Sequence, residues 1–209
     1  MYDILNQFFK IMSEELNEFT DISPYTDAEA VEALGKLADH PAVVEVSKAI
    51  FPDKEPEFLR KILKSVKSID EFQILVMNKA VEWVLSTTAH NFSYDGIGNL
   101  KKINGKFLAM SNHRDIILDP AITQVVLYRN AIPMTEIAVG SNLLSNKYIE
   151  YLIRSNRMIK VIRGINARQL YLSSQVLSKY IRDCITSGRS SIWIAQREGR
   201  AKDGIDTTE

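Results

Sequence analysis

Residues 106–120 read KFLAMSNHRDIILDP. The run Lys106–Met110 is short and apolar and suits a buried strand. Beyond the polar loop after it, Ile122, Val125 and Val126, with the stem of Arg129, continue at helical spacing. His113 therefore falls just after a strand and just before a helix. Toward the C-terminus the same alternation repeats: a strand over Met134–Val139, a helix over Leu143–Arg154, a strand over Met158–Ile162, a helix over Gln169–Ile185 and a strand over Ser190–Ala195. Strands alternating with helices of this length predict an α/β domain with a largely parallel sheet. In such sheets ligands gather where strands end and helices begin, which is the address of His113.

Upstream the texture differs. Gly96, Gly98, Asn104 and Gly105 break any helical pattern, so the α/β domain is expected to span 91–209 and to follow a helical module over 1–90. Two helix starts in that module carry a capping box, Thr26 with Glu29 and Ser68 with Glu71, and Pro41, Pro52 and Pro56 punctuate the helices between them. Ile4, Leu5, Phe8, Phe9, Met12, Leu16 and Phe19 form one apolar stripe on a first helix. Such a face packs against neighbouring helices or enters a membrane interface.

Composition narrows the classes. A chain of 209 residues can bury a real core, and the single cysteine, Cys184, can form no internal bridge, which fits a reducing compartment and a core-filling role. The N-terminus lacks the features of a secretory signal. The most apolar long segment, Phe72–Leu85, is interrupted by Asn78, Lys79 and Glu82 and is shorter than the ~20 residues of a spanning helix. The expected location is cytoplasmic, with attachment to a membrane surface left open. Net charge is zero, yet residues 1–70 carry 8 Lys+Arg against 14 Asp+Glu, whereas residues 141–200 carry 11 against 3. An anionic partner would meet the later segment first.

His113-Arg114-Asp115 matches the triplet that opens the catalytic loop of protein kinases, but the position where that loop needs a metal-binding Asn is Pro120. No Gly-rich phosphate loop precedes it and no Asp-Phe-Gly comes after it, so the kinase reading fails. A histidine beside a carboxylate has another use, as a general base whose tautomer the carboxylate fixes. Asp115 and Asp119 are both candidate partners. His40 and His90, without such company, are assigned to surface or packing roles, and Arg154, Arg157, Lys160 and Arg168 to ordinary surface charge or contacts with anionic lipid.

Three blocks carry a resemblance. Ser111-Asn112-His113 with Asp119-Pro120 is similar to the Ser-Asn-His-x-Ser-x-x-Asp-Pro signature of the glycerolipid acyltransferase superfamily, with one extra residue between His and Asp. Gly140-Ser-Asn142-Leu143, followed by Met158–Arg163, resembles that family's second block. Glu198-Gly199-Arg200 resembles its third, with the arginine moved next to the glycine. The resemblance covers about residues 92–209 and implies an acyltransferase. His113 would be its base. Arg163 and Arg200 would bind phosphate, Glu198 and Gly199 would shape the turn that places Arg200, Asn142 would stand in the substrate site, and Arg114 and Arg197 would be in reserve. The extra residue leaves Asp115 and Asp119 both eligible as the partner of His113. The implied donor is an acyl-CoA or acyl carrier protein thioester. The implied acceptor is glycerol-3-phosphate or lysophosphatidic acid at the cytoplasmic membrane face, with no metal, no other cofactor and no nucleic acid. Because relatives continue with further strands and a fourth block, the resemblance also implies a sheet left incomplete at the C-terminus. The alternative is a non-catalytic adaptor that binds anionic membrane or nucleic acid through residues 141–200; a hydrolase releasing acyl chains to water is a related enzyme reading.

Overall fold

The computed structural model of the chain describes residues 19–144, 146–196 and 201. Its helical part begins with α1 (Asp27–Ala38), α2 (Ala42–Ile50) and α3 (Phe58–Ser65). A longer helical stretch comes next, made of α4 (Ile69–Phe72), a π-helical turn (Gln73–Met77) and α5 (Asn78–Thr88). The short α6 (Ile97–Leu100) leads into an alternating series: β1 (Leu108–Ser111), α7 (Leu118–Arg129), β2 (Glu136–Gly140), α8 (Lys147–Arg154), β3 (Met158–Val161), α9 (Ala167–Thr186) and β4 (Ile192–Ala195). All strand pairs are parallel, in the order β1-β4-β2-β3, so the fold is α/β.

Local chemistry accounts for the helix starts. At α1 the Thr26 hydroxyl accepts from Glu29 N–H, and the Glu29 carboxylate accepts from Thr26 N–H at 2.8 Å, closing the expected box. Those donors hold the Glu29 carboxyl below the usual carboxylate range. Ser68 caps α4 through Glu71 N–H, but Glu71 reaches back to Lys67 N–H, one residue short of a full box. Buried Ala30, Ala33, Leu34 and Ala38 repeat at helical spacing along α1. Leu34 and Ala38 join Leu59, Leu63, Phe72 and Val76 in one apolar core, against which Leu152 of α8 also packs.

The order of the strands decides which helix covers which face. From β1 through β2 to β3 the chain advances in one direction, and right-handed crossovers put α7 and α8 on the same side. The step from β3 back to β4 reverses direction, so α9 crosses on the other face. Side-chain alternation agrees. Ile159 and Ile192 meet Tyr180 and Cys184 of α9, together with Phe19 and Ile22, whereas Ile137 stands between its register partners Met158 and Trp193 on the opposite face.

Several expectations are revised. β1 starts two residues later than Lys106 and is an edge strand, not a buried one: Leu108 is 41% and Met110 62% exposed. Residues 141–143 form a 3-10 turn, so α8 starts only at Lys147, where Asn146 caps it. Arg154 and Arg157 are not free surface charges. Arg154 donates to the Thr20 and Ser23 carbonyls and lies over the Tyr25 ring, and Arg157 binds Asp70 and Gln73. Both tie the helical part to the sheet. The apolar stripe Ile4–Leu16 lies outside the described residues. Phe19, at the end of that stripe, is buried edge-on against Tyr180. Cys184 is fully buried, as expected.

Glu136, at the start of β2, is buried and accepts a 2.6 Å bond from the Tyr180 hydroxyl. Burial pushes both acids upward, and for Glu136 the Tyr180 hydrogen bond and the Arg189 and Arg157 charges only partly offset it. A carboxyl whose folded pKa is raised favours the fold below its unfolded pKa, and this contribution is lost as pH rises through the folded value. Glu136→Gln, which keeps an acceptor for Tyr180, is expected to raise Tm at neutral pH. It should also flatten the fall in stability above the carboxylate range, as read by thermal unfolding over a pH series.

Candidate active site

The loop between β1 and α7 is organised by two aspartates with different duties. The Asp115 carboxylate accepts from Ile117 N–H at 2.8 Å and Leu118 N–H at 2.7 Å, satisfying amides at the start of α7 that no helical carbonyl can reach. Asp119, in the first turn of α7, turns back to the loop. Its Oδ2 accepts from Arg114 N–H at 2.7 Å and Asp115 N–H at 2.9 Å and lies 3.0 Å from His113 Nδ1. Of the two candidate aspartates, Asp119 supplies the carboxylate held against the ring. Asp115, the other candidate partner, has its Oδ1 on the amides of Ile117 and Leu118.

This arrangement sets the chemistry of the imidazole. A carboxylate oxygen at Nδ1 favours the tautomer that carries the ring proton there and leaves Nε2 as the unprotonated nitrogen. The His113 and Asp119 side chains are 15% and 23% exposed, within reach of solvent yet largely enclosed.

The neighbouring strand ends complete the site. His113, Asn142 and Arg163 line a single cavity of about 770 Å³, together with Gly140 and Ala195 at the ends of β2 and β4. Arg163 N–H donates to the Ser141 hydroxyl at 3.0 Å. Asn142 and Arg163 close in on Gly140: a Cβ there would stand 2.4 Å from Asn142 Oδ1 and 3.1 Å from Arg163 Nε, so both side chains would have to shift. Beyond this polar end the lining is mostly apolar, with Met77, Ala80, Val81 and Val84 from the helical part, Ala121 from α7, and Ile137, Met158 and Trp193 from the sheet, interrupted by the amide side chains of Gln73, Asn78, Gln124 and Asn156. Cavities of this size, apolar with a few convergent polar groups, suit ligands of roughly drug-like to lipid-like bulk.

Other predicted residues fare differently. The Arg114 side chain is exposed and does not line the cavity; its contribution is the backbone amide on Asp119. Glu198, Gly199 and Arg200, with Arg197, lie outside the described residues. The residues on either side of them are both tied to the His113 loop. Gln196 N–H donates to the Ser111 carbonyl and its side chain to Asn112 Oδ1, and Ala201 N–H donates to the His113 carbonyl at 2.8 Å. Sequence reasoning missed Ser141, Gly140 as a spacer, and the whole contribution of α5. The available signal for α5 was the apolar run Phe72–Leu85 broken by Asn78, which excludes a spanning helix without saying what the run covers.

No protein-family model and no curated protein matched the chain. Geometry therefore carries the functional reading of the site.

Asp119→Asn tests the tautomer directly. An amide N–H facing Nδ1 would invert the ring, so long-range proton–nitrogen NMR is expected to show the neutral His113 proton on Nδ1 in the wild type and on Nε2 in the variant. The same tautomer in both would remove Asp119 from its assigned role.

Proposed function

We propose that the protein transfers a fatty acyl group from a CoA or acyl carrier protein thioester to the hydroxyl of a phosphorylated glycerol. The observation that carries this reading is that His113, backed by Asp119, and Arg163 border the same large apolar cavity. Chemistry on a small polar substrate gives no reason for so much hydrocarbon lining beside a base. An acyl chain does.

In the proposed reaction the acyl chain lies in the cavity with its thioester carbonyl at the polar end. His113 Nε2 takes the proton of the acceptor hydroxyl as its oxygen attacks the carbonyl carbon. The tetrahedral adduct then collapses, the C–S bond breaks, and the thiolate leaving group recovers the proton from the imidazolium. Asp119 stabilises the imidazolium between the two transfers. Arg163 holds the acceptor phosphate, for which a planar guanidinium is the suitable donor. Water that enters in place of the acceptor would release free acid, so hydrolysis is the side reaction the acceptor suppresses.

The surroundings favour work at a lipid surface. None of the described helices is long and apolar enough to cross a membrane. Yet Ile116 and Ile117, in the loop that carries His113, are 42% and 71% exposed, and Leu170, Tyr171 and Leu172 in the first turns of α9 are also exposed. Because α9 follows the carboxyl end of β3, these residues belong to the edge of the sheet that bears the site. The adaptor alternative draws less support, because Arg154 and Arg157 of the basic segment are engaged within the protein.

His113→Ala is expected to lower kcat for acyl transfer to glycerol-3-phosphate or lysophosphatidic acid by about 10²–10⁴-fold, the usual worth of a positioned base. Arg163→Ala is expected to raise KM for the phosphorylated acceptor by about ten- to a hundredfold, from the loss of charge-assisted hydrogen bonds, and to leave KM for the thioester unchanged. Steady-state assays with both substrates varied separate these effects. Equal rates in wild type and His113→Ala would end the assignment.

A further inference from the structure

A second cavity, of about 740 Å³, lies at the opposite edge of the sheet. Strand register fixes its place. Leu108 and Glu136 both pair with Ile192, so Lys106, Met134 and Ser190, each two residues earlier, fall at one level before the amino ends of β1, β2 and β4, and all three line this cavity. The apolar chamber ends at the same level. From His113, Gly140 and Ala195 at the carboxyl edge it reaches Asn156 and Met134, which precede β3 and β2. Among the described residues, Met134 alone borders both cavities.

The partition around Met134 is built from consecutive residues that divide between the two sides. Gln73, Ile137 and Asn156 line the apolar chamber, while their chain neighbours Ile74, Glu136 and Arg157 line the second cavity. Gln73 donates to Asn156 Oδ1 at 3.1 Å and accepts from Arg157, which braces the partition. Those side chains are held by their bonds. Met134 instead has a flexible, unbranched side chain of the kind that plugs irregular gaps. The two sides also differ in what they offer a hydrocarbon. Within the chamber each methylene gains from burial, but beyond Met134 it would meet Lys106, Arg157 and Arg189 interspersed with Ile132 and Pro133, next to exposed Tyr128.

The depth of the chamber follows from the strand that walls it. Met134 and Gly140 are six residues apart, about 20 Å at the rise of a parallel strand. Three bonds of an extended backbone span ~3.5 Å, so a straight hydrocarbon of about sixteen carbons covers that depth.

We infer that Met134 closes the far end of the acyl chamber and sets the longest chain that fits it, about sixteen carbons. The inference rests on the acyl-chain reading of the chamber and specifies the length of the chain.

The test is displacement of a fluorescent fatty acid from the full chain by saturated fatty acids of ten to twenty carbons. For the wild type, affinity is expected to rise about fourfold per added methylene up to a break near about sixteen carbons, and then to level off or fall. Met134→Ala should move the break to longer chains and Met134→Trp to shorter ones. A break that stays in place in either folded variant, or a wild-type series that climbs to twenty carbons without one, overturns the inference and leaves the acyl reading standing. If no chain binds at any length, the acyl reading fails and the inference falls with it. Should neither variant fold, the wild type still decides: a sixteen-carbon acid with a terminal diazirine is expected to label Met134 and a ten-carbon one is not. Equal labelling by both, or none at Met134, overturns the assignment.

Discussion

Asp119 Oδ2 is a point on which three groups converge: two successive backbone amides and one imidazole nitrogen. The amides fix the path of the loop from Asn112 to Ile117, and the carboxylate fixes the ring of His113 relative to α7. Since α7 also supplies part of the cavity wall, this single oxygen couples the orientation of the imidazole to the position of the apolar chamber. Asp115 works alongside it from the other side of the loop by closing the open end of α7. The ring of His113 is thereby referenced to the helix that follows it as well as to the strand that precedes it.

The second constraint is topological. Reversal of direction between β3 and β4 places α9 on one face and leaves α7 and α8 on the other. The helical part closes that second face: Gln73 to Asn156, Arg157 to Asp70 and Arg129 to Glu82 span the join. Its helices are therefore a wall of the site as well as a core of their own. That explains why α5 carries apolar residues that line the cavity.

Much of this could be read from residue order alone. The period of the apolar residues located every strand and helix from β1 to β4 within a few residues, and the strand-to-helix address of His113 marked the site. The exposure of β1 was hidden because an apolar run looks the same in an edge strand as in a central one; only the strand order distinguishes them. The choice between Asp115 and Asp119 was hidden because both lie within reach of His113 along the chain, and the deciding fact is which carboxylate the helix amides consume. Arg154 and Arg157 looked like solvated charge because their partners, Thr20, Ser23 and Asp70, are more than eighty residues away. The cavity itself was invisible for a similar reason, since its walls come from segments as distant as Met77 and Trp193.

The central claim is that the chamber beside His113 holds an acyl chain. The most direct measurement is photolabelling with a fatty acyl thioester that bears a diazirine along its chain, followed by mass-spectrometric mapping of the adducts. The account predicts adducts on the lining residues of α5 and of the sheet, Met77, Val81, Ile137 and Trp193 among them, competed away by unlabelled thioester. Adducts confined to the exposed apolar residues of α9, or uncompeted labelling over the surface, would contradict it.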